Sequence, residues 1–306
     1  MTISPHIIPS SIRFKTSGMC VDLHIHSLYS DGSHTPEELI TLAARNRLQG
    51  LALTDHDTIE GVEEFTRLGS QAGIITLTGV EISTNMYQRA VHILGYGIDI
   101  NNAELKLWLR PLQEGRKQRN TIILQKLRDL GIVIREEEVQ RVSGGGQIGR
   151  PHIARLLIEK GVVDSFEAAF KRYLGRNRPA WEDRFSYTPA ATIDMIHRMG
   201  GVAVLAHPGH LDPEMRLQPS LIQELARYGL DGVEIYYPTH TKKMRKKLKA
   251  IAAHHGLLLT GGSDFHGSTR PTHPLAGGKE GFCPPLAMFE TLLTRLRRNS
   301  QSSFSC

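Results

Sequence analysis

Seven short runs of Val, Ile and Leu punctuate this 306-residue chain, and six of them end at or beside a histidine, aspartate or glutamate. The runs lie at about 20–26, 50–54, 74–79, 90–95, 201–206, 231–236 and 256–260, and Gly, Pro or Asp bounds each of them. Runs this short and this rich in branched side chains predict strands. Amphipathic helical patterns fill most of the gaps. TPEELITLAARNRLQG opens with Thr35 as a helix cap, Pro36 in the first helical position, and Glu37 and Glu38 in the first turn. A second Thr-Pro start stands at Thr188. Strands alternating with helices predict an α/β fold built on a parallel sheet, open or closed into a barrel.

The alternation stops between about 101 and 187. NNAELKLWLRPLQEGRKQRNTIILQKLRDLG reads as a long helix with Pro111 inside it, and IREEEVQRVS as a shorter one. The Gly-rich turn SGGGQIGRP follows, then two more helical stretches, PHIARLLIEKG and SFEAAFKRYLG. No strand pattern occurs there. The division expected is an N-terminal arm at 1–19, a discontinuous α/β unit at 20–100 and 188–298, an all-helical insertion at 101–187, and a polar tail at 299–306.

Several classes of protein are disfavoured. No apolar run approaches the ~20 residues of a membrane helix, and the first twenty residues lack the pattern of a signal peptide. Cys20, Cys283 and Cys306 show no metal or disulfide spacing, so a reducing cytoplasm is the expected setting. The formal charge of +6 permits an anionic substrate without demanding one. Part of it is local, in THTKKMRKKLKAIAAHHG at 239–256, which reads as a solvated helix face. No helix-turn-helix or zinc-finger pattern is present.

The chemistry starts in VDLHIHSLYSDGS. Alternate strand residues share a face, so His24 and His26 point the same way and can converge on one ion. A pair of satisfied structural histidines is the other reading. The remaining strand ends weigh against it: Asp55, His56 and Asp57 in LTDHDT, Glu81 in GVEIS, His92 in VHILGYG, His207 in AHPGH, and Asp264 and His266 in GSDFHG. Glu234 lies in the sixth run. So many polar groups gathered at one mouth are costly to bury unpaired, and divalent ions satisfy them together. The candidate ligands are His24, His26, Asp31, His56, Glu81, His92, His207, Asp264 and His266. Nine ligands exceed one ion, and a mixed nitrogen and oxygen set without thiolate suits zinc, manganese or iron. Asp22, Asp55 and Asp57 flank the ligands and either orient an imidazole or serve local turns. His210 and His240 lie nearer the mouth than the remaining histidines, with no role assigned.

DLHIHSLYSDG, LTDHD, GVEIS, VHILGYG, AHPGH and GSDFH resemble, in order, the motifs of the PHP (polymerase and histidinol phosphatase) superfamily. The resemblance implies a distorted seven-stranded TIM-like barrel with three divalent metals at its mouth. It implies one ion on His24, His26, Asp264 and a bridging Glu81, a second on Glu81, His92 and His207, and a third on Asp31, His56 and His266. Glu81, Asp264 and His207 are then the expected catalytic residues, with Mn2+ the expected ion for activity and Zn2+ or Fe2+ as alternatives. A water shared between metals would attack phosphorus in line.

The insertion, through GRPHIARLLIEKGVV and FKRYLG, resembles a bacterial branch of nucleotide phosphatases and 5′-to-3′ exoribonucleases. Arg150 and His152 open a helix after the Gly-rich turn, a good phosphate site. Lys171 and Arg172 lie on the next helix, and EGRKQRN at 114–120 adds a basic patch that could line the same cleft. The expected substrate is a small nucleotide, such as adenosine 3′,5′-bisphosphate losing its 3′-phosphate, or a short 5′-phosphorylated RNA. No membrane association and no obligate protein partner are expected. The alternatives are exoribonuclease action as the main activity, a histidinol-phosphate-type phosphatase, and a non-catalytic metal- and nucleotide-binding module. That module would lack ligands, and none of the nine is missing.

Overall fold

The computed structural model describes residues 20–278 and 281–302. Local chemistry sets the first helix. Thr35 Oγ1 accepts the Glu38 N–H at 3.1 Å, and the Glu38 carboxylate accepts the Thr35 N–H at 2.8 Å. This reciprocal cap fixes where α1 (Pro36–Arg45) begins. In chain order the first half comprises β1 (Val21–Ile25), α1, β2 (Gly50–Leu53), α2 (Val62–Ala72), β3 (Ile75–Leu77), β4 (Gly79–Met86) and β5 (Arg89–Tyr96). The helical stretch follows: α3 (Ala103–Asp129), α4 (Glu136–Ser143), α5 (Arg150–Glu159) and α6 (Phe166–Ala169), which runs on as a π-helical turn to Leu174. The second half comprises α7 (Pro189–Arg198), β6 (Val202–Leu205), α8 (Gln218–Arg227), β7 (Gly232–Tyr236), α9 (Lys242–His254), β8 (Leu258–Gly261) and α10 (Leu286–Ser302).

Among the described residues the strands number eight, not seven, and form two sheets ordered β1-β2-β3 and β4-β5-β6-β7-β8. The extra strand is β4, which pairs antiparallel with β5 across a hairpin whose tip, Tyr87 and Gln88, has φ of 52° and 60°. Its middle reads Glu81, Ile82, Ser83, Thr84, and no apolar run announces it. The Ser83 and Thr84 side chains are buried because each finds a partner. Ser83 Oγ donates to Asp57 Oδ2, and Thr84 Oγ1 donates to Val91 O. The β5–β6 pair is also antiparallel, which corrects the expectation of an all-parallel sheet, while β6-β7-β8 and β1-β2-β3 are parallel. The sheets meet through isolated bridges, Ile25 with Phe265 and His56 with Glu81, rather than a continuous ladder.

One large apolar cluster joins the sheets to α1, α2, α7 and α8. A second sets Phe289, Leu292, Leu293 and Leu296 of α10 against Val21, Leu23, Leu94, Tyr96 and Val204. The helical stretch has a cluster of its own, including Ile123, Leu127, Ile153, Leu157 and Leu174. α10 continues through Ser302, so the first residues of the expected tail at 299 are helical. The arm at 1–19, the end at 303–306 and Cys306 lie outside the described residues.

Cys20 and Cys283 form a disulfide, which corrects the reading of unpaired thiols. A separation of 263 residues leaves no spacing to recognise. The fold brings them together because the start of β1 lies along the segment before α10, where the Val21 N–H donates to Pro284 O at 3.1 Å.

Candidate metal centre and its arginine wall

β1 buries His24 and His26 on one face, with ring centroids 5.2 Å apart. The turn after it is tight: a Cβ on Gly32 would stand 2.4 Å from His26 O, so only glycine fits beside Asp31. Neighbouring strands deliver Glu81 (within β4) and His92 (within β5), and the loops past strands deliver the others. His207 and Asp264 sit just past β6 and β8 with φ of 27° and 54°, backbone geometry that turns their side chains out of strand alternation.

Glu81 stands at the centre. Its Oε2 lies 3.3 Å from His24 Nε2, 3.3 Å from His26 Nε2 and 2.9 Å from His56 Nδ1. Its Oε1 lies 2.8 Å from His92 Nδ1 and 2.9 Å from His207 Nε2. Asp264 Oδ1 is 3.1 Å from His26 Nε2 and 3.5 Å from His24 Nε2. Asp31 is 3.2 Å from His266 Nε2 and 3.9 Å from His56 Nε2. All nine candidate ligands therefore converge. The donor atoms of eight of them fall into three groups with mutual distances within 4.8 Å: His24, His26, Glu81 and Asp264; His26, Asp31, His56 and His266; and His56, Glu81 and His92. In the last group His56 stands where the sequence suggested His207.

A divalent ion fits this set. His24 Nε2, His26 Nε2, His56 Nδ1, His207 Nδ1 and Glu81 Oε2 are buried with no hydrogen-bond partner among the described residues. Orphaned polar atoms are costly, and an ion satisfies several at once.

The group that orients an imidazole is Glu234. Its carboxylate takes His24 Nδ1 at 3.1 Å and accepts the His207 N–H at 2.8 Å. Asp22, Asp55 and Asp57 serve local geometry instead. Asp22 accepts from Ser263 and from the Ala276 N–H, and burial raises its pKa to about 6 against those hydrogen bonds. Asp55 accepts from Ser27 and Ser30. Asp57 accepts the Ser83 N–H and pairs with two arginines; they outweigh burial and hold its carboxyl below the usual range.

A cavity of about 420 Å³ is lined by the candidate ligands and by five arginines: Arg116 and Arg119 of α3, Arg150 at the start of α5, Arg184 before α7 and Arg270 after β8. Arg116 and Arg184 share Asp57 Oδ2, at 2.7 and 2.8 Å. Arg119 is only 6% exposed and has neither a carboxylate nor a hydrogen-bond acceptor among the described residues. Burial, reinforced by Arg116, Arg184 and Arg150, pushes its guanidinium well below its ordinary pKa. An uncompensated buried cation facing a cavity is a place for an anion.

The expected phosphate ligands separate. Arg150 lines the cavity, with its guanidinium 4.6 Å from the Trp181 ring and Nη1 donating to Leu174 O at 3.1 Å. His152 does not line it. Its Nδ1 accepts the Gly149 N–H at 3.0 Å, capping α5, and burial lowers its pKa to about 4. Lys171 and Arg172 are exposed on the π-helical turn and line a separate surface depression with Asp164 and Arg178, while Phe170 of the same turn lines the cavity. Arg116 and Arg119 belong to the basic stretch at 114–120. Arg184 and Arg270 lie in loops, where no spacing marks them. His210 lines the cavity beside His207, and burial lowers its pKa to about 3. His240 is a structural residue, bonded to the Gly209 N–H and to Ile235 O.

Imidazoles and carboxylates gathered for divalent ions, facing a wall of guanidinium groups, define a metal-dependent phosphoesterase. The family model for the PHP domain matches residues 22–174. The 5′-3′ exoribonuclease Rnm of Escherichia coli is 37% identical over 249 residues, spanning 80% of this chain and 84% of that protein. The 3′,5′-nucleoside bisphosphate phosphatase of Chromobacterium violaceum is 35% identical over 247 residues, spanning 80% and 87%. A solved structure from Chromobacterium violaceum, described as an amidohydrolase with bound sulfate and no metal, superposes with a TM-score of 0.80 at 33% identity, covering 90% of this chain and 96% of that one. The chain belongs to the PHP domain family. No described helix is long and apolar enough to cross a membrane.

Proposed function

We propose that this enzyme hydrolyses a phosphoester on a nucleotide that carries a second phosphate, such as a nucleoside 3′,5′-bisphosphate. The observation that carries the reading is Arg119, a buried guanidinium without a hydrogen-bond or ion-pair partner among the described residues, in the lining that the candidate ligands share. Two phosphates need two sets of positive groups, and this cavity is lined both by groups that could hold cations and by Arg119 and Arg150. The Chromobacterium violaceum relative is named for a substrate of that form, and the related structure holds a sulfate.

Three ions, with Mn2+ for activity and Zn2+ or Fe2+ as alternatives, fit the nine ligands. His24, His26, Glu81 and Asp264 hold one; Glu81, His92 and His207 a second, with His56 in reach; Asp31, His56 and His266 the third. Bound there, divalent ions make water a nucleophile near neutral pH and offset phosphate charge. The chain's own residues do the rest. Glu81 spans the first two groups, so it fixes their spacing, and Glu81, Asp264 and His207 are the proposed catalytic residues. Arg116 and Arg184, locked on Asp57, present fixed donors to the phosphoryl oxygens. Arg119 and Arg150 take the second phosphate.

We read the two abutting sheets as an irregular form of the family's barrel, 20–100 with 188–298, and the helices of 101–187 as a unit with its own core that carries the arginine wall. The Cys20–Cys283 bridge removes the cysteine argument for a reducing cytoplasm, so a cytoplasmic setting rests on the nucleotide substrate alone.

A second reading, exoribonuclease action on 5′-phosphorylated RNA, draws on a second groove of about 470 Å³. It shares Arg119, Arg150 and Arg184 with the first cavity and continues along the β4–β5 hairpin past Arg89 and Arg176. The E. coli relative is named for that activity.

The test is a product assay with Mn2+ on adenosine 3′,5′-bisphosphate, AMP, histidinol phosphate and short RNA with and without a 5′-phosphate, with His24→Ala as control. Phosphate release from the bisphosphate, lost in the control and slow with AMP, is expected. Stepwise mononucleotide release from 5′-phosphorylated RNA alone would favour the second reading. Turnover of histidinol phosphate alone, or activity retained by His24→Ala, would overturn both.

A further inference from the structure

Tyr237, directly after β7, is fully buried, and its hydroxyl donates to Asp264 Oδ2 at 2.8 Å. Arg270 donates to the same oxygen. The other oxygen, Oδ1, is the one that faces His26 Nε2 and His24 Nε2, at 3.1 and 3.5 Å. Two donors on Oδ2 fill its lone-pair directions and leave Oδ1 turned toward the imidazoles.

The arrangement is stiff on the tyrosine side. The Tyr237 ring packs among the rings of His207, His210, His240 and His273, with centroids at 5.6, 4.9, 5.1 and 5.5 Å. His240 is itself pinned by two backbone bonds. It is less constrained on the aspartate side. Asp264 sits at φ 54°, outside the strand geometry that would aim its side chain by alternation. Something else must set the direction of its carboxylate, and a buried phenol held by four imidazole rings can do so.

We infer that Tyr237 is a positioning residue: by holding Asp264 Oδ2 it presents Oδ1 as the single ligating oxygen of the His24, His26, Glu81 and Asp264 group, and so sets the metal affinity of that group. The inference rests on the reading of Asp264 as a metal ligand. Partners that orient a ligand in this way typically change metal affinity by about 10–100-fold when removed.

The experiment is calorimetric titration of Mn2+ into the metal-stripped full chain, for the unmodified protein, Tyr237→Phe, Asp264→Asn and the double variant. Phenylalanine keeps the ring packing and removes only the donor. We expect Tyr237→Phe to weaken one Mn2+ site by about 10–100-fold and leave the other sites unchanged. In the Asp264→Asn background the same change should have no further effect on Mn2+ binding, since the two act through one contact. Unchanged affinity in Tyr237→Phe, or an equal loss with and without Asp264, overturns the inference. Unchanged affinity in Asp264→Asn instead overturns the reading of Asp264 as a ligand. Should Tyr237→Phe fail to fold, a crystal structure of the Mn2+-loaded unmodified protein decides. Ligation through Oδ1 alone with Tyr237 on Oδ2 supports the inference, and bidentate ligation or a broken Tyr237 contact overturns it.

Discussion

Glu234 reaches His24 from the side opposite Glu81: its carboxylate lies 3.1 Å from Nδ1, while Nε2 faces Glu81 Oε2 at 3.3 Å. A carboxylate on one ring nitrogen fixes the tautomer that leaves the other free to ligate. Glu234→Gln keeps the shape and removes the charge. We expect it to weaken Mn2+ binding by about 10-fold or more, measured by competition with a fluorescent chelator. Unchanged binding would remove Glu234 from the metal site.

Arg119 has no hydrogen-bond or ion-pair partner among the described residues, so its removal should separate stability from binding. We expect Arg119→Leu to leave stability unchanged or raise it by about 1–3 kcal/mol, since an unpaired buried charge is costly. KM for a bisphosphate should rise by about 10–100-fold, the loss of one or two hydrogen bonds to charged groups, while KM for a nucleoside monophosphate barely moves. Urea melts and initial rates on both substrates check this, and equal losses on both would mean that Arg119 does not discriminate.

Stripping the metals should unload the buried imidazoles. Ligand present at about 100 times its Kd stabilises a folded chain by about 2.7 kcal/mol per site. A chelator should therefore lower Tm in calorimetry, and Mn2+ should restore it. A melt insensitive to chelator would argue against ion binding in the native fold.

Asp231 gives stability a pH dependence away from the metals. It accepts from the Ala203 N–H, from His197 at 2.7 Å and from Arg295 at 2.7 Å, tying together β6, α7 and α10. Burial opposes its charge, but those donors prevail and hold its folded pKa below the ordinary value. The stability it adds is thus present above about pH 4, the unfolded carboxylate value, and is lost as pH falls through the lower folded value. We expect Asp231→Asn to cost about 1–3 kcal/mol near neutral pH and to flatten the acid side of the stability curve. An unchanged acid limb would remove Asp231 as a source of that dependence.

Cleaving the Cys20–Cys283 bridge frees a loop that spans nearly the whole chain. Reduction, or Cys20→Ser, should lower stability by about 2–4 kcal/mol, read from denaturant midpoints with and without dithiothreitol. Coincident midpoints would show that the bridge does not constrain the unfolded chain.

The sequence made the candidate ligands visible because they lie in strands or just past strand ends: His24 with His26, His56, His92, His207, and Asp264 with His266. It concealed β4, where buried polar residues (Glu81, Ser83, Thr84) break up the buried apolar ones (Val80, Ile82, Met86), so that no apolar run marks the strand. It concealed the orienting role of Glu234 and Tyr237, which depends on a contact 210 residues away for the first and 27 for the second. Lys171 and Arg172 misled because a basic pair beside a glycine reads the same whether its helix faces a cleft or water. Arg119 sat in plain view within a basic stretch, but only burial separates it from Lys117, an exposed neighbour paired with Glu114.

The two bridges that join the sheets fall inside the ligand cluster. Ile25 lies between His24 and His26, and its bridge partner Phe265 lies between Asp264 and His266; the other bridge is His56 to Glu81 themselves. Each seam is therefore flanked by donors from both of its sides, and an ion held there rivets one sheet to the other. Catalytic competence and mechanical cohesion then depend on the same few atoms. Wear at either seam should appear first as loosened metal and only afterwards as lost shape.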